Sequence, residues 1–218
     1  MNVVKPIKSI EQIEAMKNEL GKYENKGYAN IRIFEAKRNR AIFCVGINSA
    51  LRVSDIRTLN LIDVFDENLR FNDVGLKEKK THKNKEFPIT DTLKEELKDY
   101  IFAYFYILYK IDINNLSEED KEIVKQVVQN EPLFPSEKRW YLSRIQIYRI
   151  LNKSAEKIGL DKIGTHTMRK TFGYWFYKRT KDIALLQKLL NHSSPRETMI
   201  YIGLEQEEIN NAYKSFGL

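Results

Sequence analysis

Residues 165–171 read Thr-His-Thr-Met-Arg-Lys-Thr, and they open a helix that we predict over residues 168–179. In this stretch His166 and Arg169 stand three positions apart, so a helix places both side chains on one face, where both can point at one anion. By itself a His-x-x-Arg pair is a weak signal, because a histidine that caps a helix is the default interpretation at odds of about four to one. The segments on either side decide between these interpretations.

Two further segments carry residues of related chemistry. Downstream, residues 189–194 read Leu-Leu-Asn-His-Ser-Ser, and Tyr201 follows His192 by nine positions. A tyrosine is a poor nucleophile at its ordinary pKa of about 10, so a reactive tyrosine needs cations and a proton acceptor close by. Upstream, Arg52 and Asp55 stand three apart on a predicted short helix, where an ion pair from Asp55 would hold Arg52 in place. The simpler interpretation of that pair is a surface salt bridge of small energetic effect.

The charge of the chain is clustered. Its 218 residues include 37 lysines and arginines against 30 acids, a net charge of +7. Residues 162–181 hold six cations and no acid, and residues 77–85 hold five lysines and one glutamate, whereas residues 112–131 hold six acids and two lysines. Such segregation suits a phosphate-binding face. Taken alone, however, this charge segregation is explained about equally well by ordinary solvated helix faces.

Composition excludes several classes of protein. The chain is 42% hydrophobic, which is enough apolar surface for a core and excludes a wholly disordered chain. The single cysteine, Cys44, excludes disulfide frameworks and four-cysteine metal sites, and its apolar surroundings favour a buried, inert thiol. The longest uncharged run, residues 100–109, is too short to span a bilayer. Residues 1–11 lack the continuous apolar stretch of a secretory signal, which favours the cytoplasm.

The pattern of apolar and capping residues predicts a mainly α-helical fold with one small antiparallel β-sheet. Short apolar runs broken by polar clusters place the sheet within residues 61–89. Helical periodicity with Ser, Thr and Gly at the ends predicts helices on both sides of it. These helices are expected at 9–21, 28–46, 52–59, 90–110, 117–129, 142–158, 168–179 and 183–190, with a tail helix in 203–218. We expect one domain over 1–218, in which residues 1–25 form a helical lead-in.

Together these segments resemble the tyrosine recombinase, or phage integrase, family over almost the whole chain. The family pattern is an arginine in Gly-Leu-Arg-x-Ser-(Glu/Asp), a lysine in a β-hairpin, His-x-x-Arg, Leu-Gly-His-Ser and then a nucleophilic tyrosine. The counterparts here, in the same order, are Arg52, Lys80, His166 with Arg169, His192 and Tyr201. Ordered matches at several places are far more specific than any single one. Ala50 and Asn191 stand where the family usually has glycine, and asparagine tolerates a left-handed backbone better than most residues.

The resemblance implies the tyrosine recombinase catalytic-domain fold and a reaction. The Tyr201 hydroxyl would attack a DNA phosphodiester to give a 3′-phosphotyrosyl enzyme and a free 5′-hydroxyl. The planar guanidiniums of Arg52 and Arg169 would match the charged phosphate oxygens in the transition state. His166 would assist removal of the tyrosine proton, and His192 would hydrogen-bond a phosphate oxygen.

The hairpin lysine would protonate the leaving 5′-oxygen, and five lysines compete for that role. We choose Lys80, because Lys80-Thr81 followed by Pro88 resembles the Lys-Thr hairpin of many phage integrases. Other DNA contacts are expected from Lys79, Lys83, Lys85, Lys170 and Arg179.

The resemblance also implies partners. Double-stranded DNA would be the substrate, self-association as a dimer or tetramer on DNA is expected, and accessory DNA-bending or directionality proteins are further candidates. No cofactor, no metal and no membrane contact are expected. Family members commonly carry an N-terminal core-binding domain, for which the segment before Arg52 leaves no room. The chain is therefore expected to be a catalytic-domain recombinase or a fragment of a longer integrase.

Two alternative functions stay open at this point. A DNA topoisomerase of the related type IB class would share the chemistry but relax supercoils without a partner site. A DNA-binding regulator would keep the fold without cleavage, yet it has no need of His166 or Tyr201 at these spacings.

Overall fold

The structure is a computed structural model that describes residues 4–23, 29–80, 82–161, 163–204, 210–211 and 213–216. In this part of the chain there are nine α-helices and one two-stranded antiparallel sheet, which confirms the predicted fold class. The elements are α1 (Ile10–Leu20), α2 (Ala29–Asn48), α3 (Val53–Ile56), β1 (Val74–Lys77), β2 (Asn84–Phe87), α4 (Asp91–Tyr109), α5 (Glu118–Asn130), α6 (Arg144–Lys157), α7 (Thr167–Thr180), α8 (Ile183–Leu189) and α9 (Pro195–Ile202). Among the described residues, no helix is long and apolar enough to cross a membrane.

Helix α2 is the central element, as its apolar second half predicts. Residues 41–46 are all buried, and α2 packs against α1, α4 and α7. Helix α1 begins at Ser9, whose hydroxyl accepts a hydrogen bond from the Gln12 N–H at 3.2 Å. Cys44 lies buried in α2, and burial raises the pKa of its thiol to about 12, so the thiol stays protonated and unreactive.

Two glycines allow the helices around the site to approach closely. A Cβ at Gly46 of α2 would lie 2.4 Å from Sδ and 2.8 Å from Cβ of Met168 in α7. A Cβ at Gly173 of α7 would lie 2.7 Å from Ile202 Cγ2 in α9. Because neither position carries a side chain, α7 packs directly on both neighbours.

The sheet is a single hairpin, smaller than the predicted segment 61–89. Strand β1 pairs with β2 so that Val74 lies opposite Phe87. Residues 61–63 form one turn of 3-10 helix instead of a strand, and the Asn60 N–H donates to the Asp63 carboxylate at 2.7 Å. The polar side chains that flank the short apolar run therefore close a local turn, which competes with strand pairing.

The structure contains a helix, α9, that was not predicted from the sequence. It begins after Ser194, whose hydroxyl accepts a hydrogen bond from the Glu197 N–H at 3.1 Å, and has Pro195 in its first turn. It ends at Gly203, which has a φ of 70°. With 8 residues, the helix is too short to show an apolar periodicity, and its capping residues are the signal that could have revealed it.

Several predicted features fall partly outside the described residues. In the predicted tail helix, residues 210, 211 and 213–215 are helical, whereas 205–209, 212 and 217–218 are not described. Residues 1–3, 24 and 25 of the lead-in, Lys162 of the basic cluster and Thr81 of the hairpin also lie outside.

Candidate active site

Arg52 lies at the junction between α2 and α3, where it is the N-cap of α3. Two residues earlier, Ala50 has a φ of 54°, the left-handed conformation that a glycine adopts at no steric cost. Arg52 Nη1 lies 2.9 Å from Oε2 of Glu78. The Arg52 side chain is 15% exposed and the Glu78 side chain is fully buried, so solvent reaches part of the arginine side chain and none of the carboxylate.

Arg169 is a fully buried side chain on the first turn of α7. Its Nη1 donates a hydrogen bond to the carbonyl oxygen of Ala50, and its Nη2 donates one to the carbonyl oxygen of Leu190. Since each side of the guanidinium fork is bound to a different segment, the group is fixed in orientation. Arg169 thereby joins the turn before α3 to the end of α8.

Tyr201 of α9 lies beside both predicted histidines of the same chain. Its hydroxyl is 3.1 Å from His166 Nδ1, and its ring packs edge-to-face on His192 with 4.8 Å between centroids. Lys170 Nζ lies 5.0 Å from the centroid of the Tyr201 ring. The phenol therefore has a proton acceptor and a cation close by, as a reactive tyrosine requires.

His192 follows a left-handed residue at the turn between α8 and α9. Asn191 has a φ of 49°, so the turn keeps the backbone that was expected to survive the replacement of glycine. His192 Nδ1 lies 3.1 Å from the Thr198 hydroxyl, which orients the imidazole beside Tyr201.

Glu78 is the one carboxylate that contacts both arginines among the described residues. Its Oε1 lies 3.6 Å from Arg169 Nη1, and its Oε2 accepts a hydrogen bond from the Asn191 amide at 2.9 Å. Successive residues of a strand point to opposite faces, so Glu78, just after β1, points to the same inner side as Val74 and Leu76. The hairpin thereby places the Glu78 carboxylate beside the two guanidiniums.

Asp55 does not make the predicted ion pair with Arg52 in the described residues. Asp55 is buried, and its Oδ1 accepts a hydrogen bond from the Lys79 backbone N–H at 3.1 Å. The prediction placed Arg52 and Asp55 on one helix, but Arg52 is the cap that precedes it, has an extended backbone, and points its guanidinium at Glu78 instead. Asp55 anchors the hairpin instead.

Lys85, one of the predicted DNA contacts, is buried. Its Nζ donates hydrogen bonds to the carbonyl oxygens of Ala50 at 2.9 Å and Leu189 at 3.0 Å. Burial, with a further contribution from the Arg169 charge, lowers the pKa of Lys85 to about 7. A contact with DNA would require Lys85 to leave both carbonyls.

The other predicted cations differ in exposure. The exposed ones are Lys79, Lys80, Lys83 and Arg179. Lys170 is partly buried, and its Nζ donates a hydrogen bond to the Val4 carbonyl oxygen at 2.9 Å. Hydrogen bonds from Ser193 lower the pKa of Glu197 in α9, and the charges of His192 and Lys80 lower it further.

The protonation states suit proton transfer from Tyr201 to His166. Partial desolvation lowers the pKa of His166, and the charges of Arg144 and Arg169 lower it further, which favours the neutral imidazole at neutral pH. Burial raises the pKa of Tyr201, although Arg169 and Arg52 counteract this effect, so the phenol keeps its proton. A neutral base therefore stands within hydrogen-bonding distance of a neutral acid.

Comparison with known proteins agrees with this geometry. Residues 28–208 match the sequence pattern of the phage integrase family, which covers most of the chain. The chain belongs to the phage integrase family. Within that family it is 41% identical over 218 residues to the probable integrase/recombinase YoeC of Bacillus subtilis (strain 168), and the match covers all of this chain and 99% of YoeC.

Other phage integrase relatives are longer. The tyrosine recombinase XerC of Thermodesulfovibrio yellowstonii is 32% identical over 184 residues, which cover 83% of this chain and 54% of XerC. The chain thus spans about half the length of this relative.

Solved structures share the fold. The XerH site-specific recombinase in a post-cleavage complex with a palindromic difH substrate has a TM-score of 0.66 at 20% identity, covering 97% of this chain and 53% of that one. A lambda integrase (75–356) dimer bound to a COC′ core site has a TM-score of 0.58 at 16% identity, covering 92% of this chain and 60% of that one.

Six residues were predicted for this site, and the structure brings five of them together directly. Arg52, His166, Arg169, His192 and Tyr201 are linked by the contacts given above, while Lys80 is exposed in the hairpin turn. Glu78 was not predicted as part of the site, because in the sequence it is one acid among the hairpin lysines. The alternation of Val74, Leu76 and Glu78 is the signal that could have revealed its inward orientation.

Proposed function

We propose that this member of the phage integrase family is a site-specific DNA recombinase that cleaves and rejoins double-stranded DNA through a 3′-phosphotyrosyl intermediate on Tyr201. The observation that carries the proposal is the 3.1 Å distance between the Tyr201 hydroxyl and His166 Nδ1, beside the guanidinium of Arg169. A tyrosine with an ordinary packing role needs neither a base nor a buried arginine.

In the proposed cleavage step, the Tyr201 oxygen forms a bond to phosphorus as the bond from phosphorus to the 5′-oxygen breaks. The Tyr201 proton passes to His166, and Lys80 supplies a proton to the leaving 5′-oxygen. Rejoining reverses these transfers with the 5′-hydroxyl of another strand as nucleophile. Because the phosphotyrosine retains the energy of the original ester, no additional energy source is needed.

Negative charge grows on the non-bridging phosphate oxygens in the transition state, and Arg52 and Arg169 are assigned to stabilise it. Arg52 is the more accessible of the two, whereas Arg169 is held by two carbonyls. Loss of one such preorganised donor costs about 10²- to 10³-fold in rate. His192 is assigned to hydrogen-bond one of the oxygens.

The proposed substrate also requires a cationic surface and an assembly. The exposed Lys79, Lys83 and Arg179 support contact with DNA phosphates. A lambda integrase dimer on a core site and a lambda integrase tetramer on a Holliday junction share the fold, which supports self-association of this chain on DNA. We further propose that the recombined DNA belongs to a mobile element, by integration, excision or inversion, and that the reaction takes place in the cytoplasm.

The test is a search for a covalent adduct with nicked suicide substrates drawn from the DNA that flanks the gene. After cleavage a short fragment with the 5′-hydroxyl diffuses away, so the protein stays attached to a 3′-phosphate and shifts on a denaturing gel. We expect an adduct with the wild type, none with Tyr201→Phe, and wild-type yield with the matched control Tyr106→Phe, whose side chain is 53% exposed on α4. An adduct that survives Tyr201→Phe, or its absence from every flanking sequence with the wild type, would overturn the proposal.

A further inference from the structure

A buried carboxylate that the proposed mechanism does not use contacts three separate parts of the site. Glu78 lies 2.9 Å from Arg52 before α3, 3.6 Å from Arg169 in α7 and 2.9 Å from the amide of Asn191 after α8. Its side chain has no exposed surface. A buried charge is costly unless it is paired, so the two guanidiniums and the amide offset the cost of burying this carboxylate.

The same residue also closes the hairpin turn. The Glu78 N–H donates to the Lys83 carbonyl oxygen at 2.9 Å, and the Glu78 carbonyl oxygen accepts from the His82 N–H at 2.9 Å. Lys80 lies within this turn. A change in the position of Glu78 therefore affects both the guanidiniums and the loop that presents the lysine.

Asn191 completes the arrangement at a position of particular geometry. Its φ of 49° lies in the left-handed region, where glycine is the least strained residue, yet its side chain donates to Glu78 Oε2. A glycine would satisfy the backbone and leave the carboxylate without this donor. The asparagine is thus explained by the carboxylate that it orients.

We propose that Glu78 is a positioning residue for strand cleavage: its carboxylate, oriented by Asn191, holds the guanidiniums of Arg52 and Arg169 in the arrangement that receives the scissile phosphate. This inference rests on the proposed recombinase function. Of the pair formed by Arg52 and Glu78, Arg52 is the member that DNA can reach, because its side chain is 15% exposed and that of Glu78 is not exposed at all. The carboxylate lies behind the arginine, and the phosphate binds in front of it.

The experiment compares Glu78→Gln, Asn191→Gly and the double variant Glu78→Gln with Asn191→Asp, which transfers the carboxylate to the other member of the hydrogen-bonded pair. Aspartate, like asparagine, tolerates the left-handed backbone. Single-turnover cleavage is measured against DNA concentration on a suicide substrate that the wild type cleaves. Thermal denaturation of each variant reports folding.

We expect Glu78→Gln to lower the saturating cleavage rate by about 10²-fold, the scale of a 1 Å misplacement, with the half-saturating DNA concentration unchanged within about twofold. Asn191→Gly is expected to show a smaller loss of the same kind. The double variant is expected to recover at least about tenfold of the rate lost in Glu78→Gln, which a loss of general stability would not predict.

Three outcomes would overturn the inference: wild-type cleavage by Glu78→Gln, no recovery in a folded double variant, or faster cleavage by Glu78→Gln. The last would mean that the carboxylate competes with the phosphate. If Glu78→Gln does not fold, the cleavage rate of Asn191→Gly tests the inference: a reduced rate supports it, and a wild-type rate overturns it. Absence of any wild-type adduct is a distinct result, which rejects the recombinase function itself.

Discussion

Replacement of Gly46 by alanine tests whether the spacing of α2 and α7 controls the site. The new Cβ would meet Met168 Cβ at 2.8 Å, whereas ordinary van der Waals contact begins at 3.4 Å, so the helices must separate by at least the 0.6 Å difference. Arg169 is the residue after Met168, and its guanidinium binds the carbonyl oxygen of Ala50 just beyond α2. A larger distance between α2 and α7 therefore moves Arg169 away from the carbonyl oxygen of Ala50.

The expected effect on stability is small and the effect on rate is larger. Overpacking costs about 1–3 kcal/mol, and a glycine-to-alanine change within a helix returns about 1 kcal/mol, so the free energy of unfolding should fall by about 0–2 kcal/mol. For a chain of this size, that is a decrease of a few degrees in Tm. A displacement approaching 1 Å at the reacting groups lowers the cleavage rate by about 10- to 100-fold.

The assay pairs single-turnover cleavage of a suicide substrate with thermal denaturation. Gly75→Ala is the matched control, because its Cβ would meet Glu86 Cγ at an ordinary 3.8 Å. If Gly46→Ala lowers Tm but cleaves as fast as the wild type, helix spacing does not control the site. An equal loss of rate in Gly75→Ala would refute the reasoning as well.

The remaining predictions concern the base, the buried guanidinium and the helix that carries the nucleophile. Because the pKa of His166 lies below the ordinary 6.5 and the neutral form is the base, the cleavage rate should stay level across neutral pH and fall only below 6.5; a pH–rate profile whose acid limb is centred above that value contradicts this assignment. Arg169→Lys should slow cleavage by about 10²- to 10³-fold, because lysine lacks the planar fork that binds two carbonyls, and wild-type turnover in a gel assay would disprove it. Gly173→Ala should slow adduct formation, since its Cβ would lie 2.7 Å from Ile202 Cγ2, next to Tyr201; an unchanged adduct yield over time would show that α9 tolerates the shift.

Much of the fold follows from local sequence signals. Ser9 and Ser117 each cap a helix that the sequence predicts to begin there, because a hydroxyl satisfies an N–H that the helix leaves without a partner. Ser143 caps α6 one residue after the predicted start at 142. The sheet was predicted too large, since short apolar runs such as residues 61–63 support either a strand or a turn. Only tertiary packing distinguishes the two.

The candidate site was predictable to the extent that its residues follow the order of the tyrosine recombinase motifs along the chain. Arg52 and Tyr201 were found in this way, although periodicity assigns neither to a site. The partners of these residues were not predictable, because Glu78 and Asn191 are 113 positions apart and meet only after the hairpin has packed against the end of α8. The burial of Lys85 was missed for the same reason, since a lysine in a basic run has the pattern of a surface residue.

The placement of Tyr201 against His166 of its own chain has a consequence for how an assembly would operate. In the proposed mechanism the nucleophile and its base belong to the same chain, so a neighbouring subunit need not supply the tyrosine. If the proposed assembly forms, subunit contacts that shift α9 or the hairpin would control when cleavage occurs without changing which phosphate each subunit attacks. The oligomer would then coordinate the separate cleavage events without supplying a nucleophile to any of them.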